Sequence, residues 1–231
     1  MSLSAFIAGT DTGVGKTFVA CNLLQAFNRK GHSTLALKPV AAGAEWLDGQ
    51  WKNDDGIALQ ASASVALRYE ELNPLCFEHA LSPHIAAEKA GYNLDFDALV
   101  SQCEQTLKRS ADVKLVEGAG GWRVPVSDSH TMADLAKALN LPVVLVVGMR
   151  LGCINHACLT AEAIKADGLT LAGWVANCID ADMAALEENL FTLDSRIPAP
   201  RLATIPSLAS ADNLSAIAHI DIDKLKAAVT S

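Results

Sequence analysis

The sequence predicts one α/β domain, spanning residues 1–231, with a mostly parallel sheet and helices on both faces. Strand-like apolar segments alternate with segments of helical apolar spacing along the whole chain of 231 residues. The uninterrupted branched run Pro142–Val147 is typical of a central parallel strand buried on both faces. A glycine-rich turn also separates the first strand-like segment from the first helical one. Ligands of such folds bind beyond the carboxyl ends of the strands.

Each predicted strand is a short apolar run that ends at a turn residue. The six are Leu3–Ala8, Ser33–Lys38, Val113–Glu117, Pro142–Val147, Leu171–Ala176 and Arg201–Ile205. Apolar residues recur at helical spacing between them. These predicted helices are Phe18–Phe27, Ile57–Ala66, Pro83–Ala90, Phe96–Ser110, Met132–Leu139, Asn155–Ala166, Ala184–Leu193 and Leu214–Val229. A strand–helix alternation of this kind predicts crossover connections between parallel strands.

The composition excludes several classes of protein. Hydrophobic residues make up 51% of the chain and charged residues 19%, as in a globular protein. A net charge of −8 argues against a nucleic-acid partner. The longest apolar run, Leu141–Met149, is too short to cross a bilayer, and no basic segment precedes the first apolar run. We therefore expect no membrane span and no secretory signal.

The cysteines favour a cytoplasmic protein with reduced thiols. They are scattered in apolar surroundings, at Cys21, Cys76, Cys103, Cys153, Cys158 and Cys178. Cys153, His156 and Cys158 lie close in sequence, but their spacing matches no standard zinc-ligand pattern. We expect no metal there.

The glycine-rich turn at residues 9–17 predicts binding of a nucleoside triphosphate. It follows the first strand, ends in Gly-Lys-Thr and opens a helix, which is the context of a phosphate-binding loop. Backbone N–H groups and the helix N-terminus would hold phosphate oxygens, Lys16 would reach the outer phosphates, and the Thr17 hydroxyl would bind Mg²⁺. Five residues separate Gly9 from Gly15 instead of the usual four. The alternative is a plain strand-to-helix turn, which the Gly-Lys-Thr ending disfavours.

Three further residues fall at the carboxyl ends of predicted strands, as the glycine loop does. Lys38 would add a second cation near the outer phosphate, the alternative being a solvated lysine at a strand end. Glu117 is placed like the carboxylate that meets Mg²⁺ directly or through water in phosphate-loop enzymes. Asn177 ends the fifth strand. Of the adjacent Asp54 and Asp55, either could cap a helix or complete a magnesium site, and spacing does not choose between them.

On these residues the chain resembles the dethiobiotin synthetase family of biotin synthesis. The resemblance covers nearly the whole length and includes the extra loop residue between Gly9 and Gly15. The matching motifs lie at residues 9–17, 38–41, 73–74, 82–84, 116–122, 151–156, 173–177 and 205–208.

The resemblance implies an enzyme that uses ATP and Mg²⁺ to close the ureido ring of dethiobiotin from 7,8-diaminononanoate and CO₂. The intermediates would be a carbamate and a carbamic–phosphoric anhydride. The implied catalytic residues are Lys16 and Lys38, and the implied magnesium ligands are Thr17, Asp55 and Glu117. Nucleotide contacts are implied for Gly13, Val14, Gly15, Lys16, Thr17, Phe18, Asp55, Glu117, Gly118, Ala119, Gly120, Asn177, Cys178, Pro206, Ser207 and Leu208. Substrate contacts are implied for Thr12, Lys38, Ala42, Gly152, Cys153 and Asn155.

The resemblance also implies a homodimer in which residues 151–156 of one subunit reach the substrate bound by the other. Two departures from the family pattern are visible. Gly13 stands where many members have Glu near the substrate amines, and Ala42 stands where many have Ser. One lost hydrogen bond to a charged group is worth about 1.5–3 kcal/mol. We expect the missing hydroxyl at position 42 to weaken binding without abolishing catalysis, whereas the carboxylate role at position 13 is either vacant or filled elsewhere.

Three other functions are weighed against this one. A chromosome- or septum-positioning ATPase would carry an additional lysine early in the loop, where Thr10, Asp11 and Thr12 stand here. An amidoligase of the cobyrinate type would need a glutaminase domain, for which we expect no room. A non-catalytic nucleotide-binding domain would not need Lys38 and Glu117 at strand ends.

Overall fold

The six predicted strands form one parallel sheet in the computed structural model, which describes residues 2–207 and 220–230. The strands are β1 (Leu3–Gly9), β2 (Thr34–Leu37), β3 (Val40–Ala42), β4 (Glu45–Leu47), β5 (Gln50–Lys52), β6 (Leu75–Phe77), β7 (Val113–Glu117), β8 (Val143–Gly148), β9 (Leu171–Asn177) and β10 (Arg201–Ile205). The sheet has the order β10–β9–β8–β1–β7–β2, and all its neighbours are parallel. The predicted fold class is confirmed.

The helices lie close to the predicted segments. They are α1 (Lys16–Arg29), α2 (Asp54–Ser62), α3 (Tyr69–Leu72), α4 (Pro83–Lys89), α5 (Phe96–Leu107), α6 (Met132–Ala138), α7 (Cys153–Ala166), α8 (Leu186–Arg196) and α9 (Ile222–Thr230). Of the predicted helix Leu214–Val229, residues 214–219 lie outside the described residues. Within the described part of the chain, no helix is long and apolar enough to cross a membrane.

Some boundaries and short elements differ from the prediction. Helix α2 begins before Ile57, because the Asn53 side chain accepts the N–H of Asp55 and caps the helix. The sequence did not predict α3, the parallel pair β3–β6 or the hairpin β4–β5. Elements of three or four residues are too short to show a hydrophobic period.

The strand register brings distant residues together at the carboxyl edge of the sheet. All six residues of β8 are buried, as the branched run predicted. In the pairing of β2 with β7, Leu37 lies opposite Val116. Lys38 and Glu117, which follow these two residues, therefore emerge side by side although they are far apart in sequence.

Candidate active site

A cleft of about 580 Å³ opens at this carboxyl edge. It brings together eleven residues implied by the sequence or the resemblance, from the glycine loop, the start of α1, the ends of β2, β3 and β7, and helix α2. Those lining it are Thr12, Gly13, Gly15, Lys16, Thr17, Lys38, Ala42, Asp55, Glu117, Ala119 and Gly120. A volume of this size is typical of small-molecule sites.

The glycine loop wraps the amino end of α1. Gly13 and Gly15 have φ of 73° and 85°, the left-handed region that glycine adopts without strain. The Lys16 ammonium lies over the loop and donates to the Asp11 carbonyl at 3.0 Å. Burial, and next the charge of Lys38, lower the pKa of Lys16 to about 8. The charge of Lys38 therefore disfavours the protonated form of Lys16, and an anion bound beside Lys16 would favour it.

Lys38 is a buried cation held between two carboxylates. It is 3% exposed, which is inconsistent with a solvated strand-end lysine. Its Nζ lies 2.6 Å from Glu117 Oε1 and 2.9 Å from Asp55 Oδ2, and it also donates to the Gly118 carbonyl at 3.3 Å. Burial opposes the charge of Lys38, but Glu117 and then Asp55 outweigh it and raise its pKa. Lys38 therefore stays protonated.

The oxygen atoms near Lys38 fit a hard divalent cation. Glu117 Oε1 also accepts the Thr17 hydroxyl at 2.8 Å, whereas its Oε2 is buried without a hydrogen-bond partner. Burial opposes ionisation of Asp55, but Lys38 outweighs this and lowers the Asp55 pKa. Two carboxyl groups and a hydroxyl offer the oxygen ligands that Mg²⁺ prefers. Because Asp54 is exposed and outside the cleft lining, Asp55 is the better candidate of the two.

The residues implied for the nucleotide base lie at the neighbouring strand ends. Asn177 ends β9, and its Nδ2 donates to the Val14 carbonyl at 2.9 Å, so it packs against the glycine loop. The N–H of Cys178 donates to the Ile205 carbonyl at 2.9 Å, which ties the end of β9 to the chain that continues into Pro206 and Ser207. Leu208 lies outside the described residues. Phe18 is half-buried in the first turn of α1, against the core.

The cleft has a wall that the sequence analysis did not assign. It consists of Ala41, Ala80, Leu81, Ser82, Pro83 and Val124. The motif at residues 82–84 contributed to the resemblance and could have indicated this wall, since Pro83 begins α4. The small apolar residues of this wall gave no indication in the sequence that they line a binding site.

The implied substrate residues Gly152, Cys153 and Asn155 do not line this cleft within one chain. Helix α7 begins after Gly152, whose φ is 95°. The Cys153 side chain is buried, and its N–H donates to the Arg150 carbonyl at 3.0 Å. Asn155 is exposed on the first turn. The Arg150 side chain contacts Asp11 Oδ2 at 2.6 Å and so connects this segment to the glycine loop.

Comparisons with known proteins agree with the resemblance. A family model described as an AAA domain matches residues 4–215. The chain is 55% identical to the ATP-dependent dethiobiotin synthetase BioD of Cellvibrio japonicus, over 95% of this chain and 96% of the relative. It is 54% identical to the protein of the same description from Aromatoleum aromaticum, over 90% of this chain and 92% of that relative.

Solved structures with the same fold are much more distant in sequence. The septum site-determining protein MinD of Pyrococcus horikoshii, in complex with Mg-ADP, has a TM-score of 0.55 and 15% identity, over 97% of this chain and 94% of that one. Chloroplast FtsY of Physcomitrella patens also has a TM-score of 0.55 and 15% identity, over 97% and 65%. At this identity the likeness concerns the fold alone.

Proposed function

The chain belongs to the family of ATP-dependent dethiobiotin synthetases, and from this premise we propose how its cleft works. The reaction is the closure of the ureido ring of 7,8-diaminononanoate with CO₂, at the expense of ATP, with release of ADP and phosphate. The observation that carries the proposal is the buried Lys38 ammonium, which faces the same cleft as the phosphate-binding loop.

The proposed reaction has three steps. One amine of the diamine attacks CO₂ and loses a proton, giving a carbamate. A carbamate oxygen then attacks the γ-phosphorus of ATP, ADP leaves, and a carbamic–phosphoric anhydride forms. The second amine attacks the carbonyl carbon, phosphate leaves, and the ring closes.

The electrostatic difficulty of this sequence is that the carbamate and the triphosphate are both anions. Their repulsion is strong at van der Waals distance inside a protein, where charges are screened less than in water. In this proposal Lys16 binds the outer phosphates and Lys38 binds the carbamate, which the presence of both side chains in the lining of one cleft supports. Two ion pairs, with Glu117 and Asp55, fix the position of the Lys38 ammonium.

Thr17, Asp55 and Glu117 would hold Mg²⁺, which supplies positive charge to the triphosphate oxygens during transfer. The orphaned Glu117 Oε2 supports this assignment, since a buried carboxylate oxygen without a partner is costly.

We further propose a cytoplasmic homodimer with shared sites. Large apolar side chains on α7 and α8 and beside them are unusually exposed: Leu151 is 98% exposed and Phe191 77%. Apolar surface of this kind is typical of subunit interfaces. Pairing there would supply Asn155 and the amino end of α7 to the cleft of the partner subunit.

The direct test is the release of ADP in bicarbonate buffer with and without 7,8-diaminononanoate. The proposal requires that ADP release depend on the diamine and that dethiobiotin form in equal amount. Hydrolysis of ATP that is independent of the diamine would instead indicate an ATPase of the septum-positioning type, which shares the fold.

Glu117→Gln should raise the Mg²⁺ concentration for half-maximal rate about tenfold, because the amide keeps the shape of the ligand but loses its charge. The measurement is a magnesium titration of ADP release at saturating ATP. Glu88→Gln, on an exposed residue of α4, is the matched control and should leave the titration unchanged. An unaltered titration in Glu117→Gln would mean that Glu117 only pairs with Lys38.

Gly13→Glu should restore a carboxylate near the substrate amines and lower the KM for the diamine by about tenfold. No neighbouring atom lies within 4 Å of the Cβ that this change adds, so we expect no steric clash. The only cost to folding stability is backbone strain, because φ of residue 13 is 73°. That strain amounts to about 1 kcal/mol of folding stability. Gly31→Glu is a matched control, since Gly31 has φ 82° and equally open surroundings. A KM that falls in neither variant would show that the carboxylate role is filled elsewhere.

A further inference from the structure

Three polar side chains just outside the cleft lining connect the segments that carry the site residues. They are Asn53, Tyr69 and Asn73, here called the Asn53–Tyr69–Asn73 cluster. Asn73 Nδ2 donates to the Lys38 carbonyl at 2.6 Å and to the Leu75 carbonyl at 3.1 Å. The Tyr69 hydroxyl lies 3.0 Å from Asn73 Oδ1, to which it donates. The cluster therefore reaches the backbone of the catalytic lysine itself.

The other end of the cluster reaches the opposite side of the site. The N–H of Asn53 donates to the Tyr69 hydroxyl at 2.7 Å. Asn53 Nδ2 donates to the carbonyls of Ala42 and Gly43 at 3.2 and 2.9 Å, and its Oδ1 accepts the N–H of Asp55 at 3.0 Å. One continuous set of hydrogen bonds thus fixes the backbone at Lys38, Ala42 and Asp55.

The centre of the cluster is buried and closely packed. Tyr69 is 5% exposed and Asn73 3%. A Cβ at Gly56, on the first turn of α2, would come within 2.5 Å of the Tyr69 hydroxyl oxygen, so that oxygen sits directly against the helix. Burial raises the pKa of the Tyr69 phenol, which keeps its proton, and its two acceptors are Asn73 Oδ1 at 3.0 Å and the Asn53 carbonyl at 3.3 Å, both in the cluster. Buried networks with all members paired are rigid, and the loss of one member leaves others unsatisfied.

The glycine loop is fixed by separate contacts. Lys16 donates to the Asp11 carbonyl, and Asn177 donates to the Val14 carbonyl. The hydrogen bonds of the cluster instead reach residues 38, 42, 43, 55 and 75. The backbone of each half is therefore held by different hydrogen bonds, and the two halves meet at Glu117 Oε1, which accepts both Lys38 Nζ and the Thr17 hydroxyl.

We propose that Tyr69 and Asn73, acting through Asn53, are positioning residues for the carbamate half of the site. They hold Lys38 and Asp55 at the distance that capture of the carbamate requires. Because Asp55 is also a proposed magnesium ligand, it is the binding of magnesium-free nucleotide that they leave unaffected. This inference rests on the proposed function, since it names further residues for that reaction. Misplacement of a reacting group by a fraction of an ångström is enough to lower kcat substantially.

The test is Tyr69→Phe, which removes one oxygen and keeps the ring. We expect kcat to fall about tenfold while the Kd of ADP, measured by calorimetry without Mg²⁺, stays within about twofold of wild type. The chain has two tyrosines, so Tyr92→Phe is the matched control. Tyr92 is 48% exposed and should be replaceable without effect. A normal kcat in Tyr69→Phe, or losses of kcat and ADP affinity in parallel, would overturn the proposal.

A second readout does not depend on turnover. Hydrogen–deuterium exchange in Tyr69→Phe should be faster by several fold in peptides covering residues 38–43 and 53–60, and unchanged in residues 9–17. Unchanged exchange in the first two segments contradicts the positioning role even if kcat falls. If the wild-type protein shows no diamine-dependent turnover, the proposed reaction fails, and the exchange pattern still decides whether the cluster holds these segments.

Coupling between the two buried members completes the test. Tyr69→Phe and Asn73→Ala remove parts of one hydrogen-bonded unit, so the double variant should lose less kcat than the product of the two single losses. Purely multiplicative losses would show that the residues act independently and would contradict a single positioning unit. The melting temperatures of all three variants are measured as well, so that a loss of kcat caused by unfolding is distinguished from a loss caused by misplaced site residues.

Discussion

We expect Lys38→Ala to lower kcat about a thousandfold while the affinity for ATP changes only a few fold. The Lys38 ammonium is buried between Glu117 and Asp55 at the cleft, and alanine supplies no charge in its place. Its proposed partner is the carbamate, whose negative charge must approach the γ-phosphate. Lys16→Ala should behave differently and weaken ATP binding together with turnover, because Lys16 lies over the phosphate loop.

The measurements are steady-state kinetics with each substrate varied, and calorimetry with a non-hydrolysable ATP analogue. Removing one partner of a buried ion pair destabilises a protein by about 3–5 kcal/mol, so the melting temperature of Lys38→Ala has to be measured as well. Glu117 and Asp55 are the two carboxylates left without their cation. Full activity in a folded Lys38→Ala protein would remove Lys38 from the mechanism.

The carboxyl edge of the sheet could be predicted from the sequence because parallel strands place their carboxyl ends together. Lys38 and Glu117 each follow a clear apolar run, and both line the observed cleft. Their direct contact at 2.6 Å could not be predicted in this way. It depends on the register of β2 against β7, which is set by tertiary packing.

The choice between Asp54 and Asp55 also required the structure. Both are acidic residues in the first turn of α2, and their sequence context is equivalent. The choice follows from where the helix begins, and Asn53, which caps it, turns the Asp55 side chain toward Lys38. Sequence patterns locate helix ends only to within a few residues, whereas the choice between Asp54 and Asp55 depends on a shift of one residue.

The roles of residues 151–156 remain a prediction of the resemblance. Within one chain they lie outside the cleft lining, which is the arrangement expected if they serve a partner subunit. Leu151 is almost fully exposed beside them. A test of the shared site must therefore be one in which two subunits complement each other.

We expect two inactive variants to restore activity when they are mixed. Lys38→Ala and an inactivating substitution at Asn155 are unfolded together and refolded as an equal mixture. If each site takes Lys38 from one chain and Asn155 from the other, a mixed dimer contains one intact site and one doubly defective site. Random pairing makes about half of the dimers mixed, so activity should recover to roughly a quarter of the wild-type value.

The control for this experiment is an equal mixture of Lys38→Ala with Lys16→Ala. Both of these changes lie in the cleft of the same chain, so no pairing of the two chains assembles an intact site, and this mixture should stay inactive. Each parent must be nearly inactive when it is refolded alone. Subunit exchange is confirmed by mass spectrometry of the mixed dimer. If exchange takes place and the Lys38→Ala and Asn155 mixture still stays inactive, each site is built within one chain, and the exposed amino end of α7 has some other role.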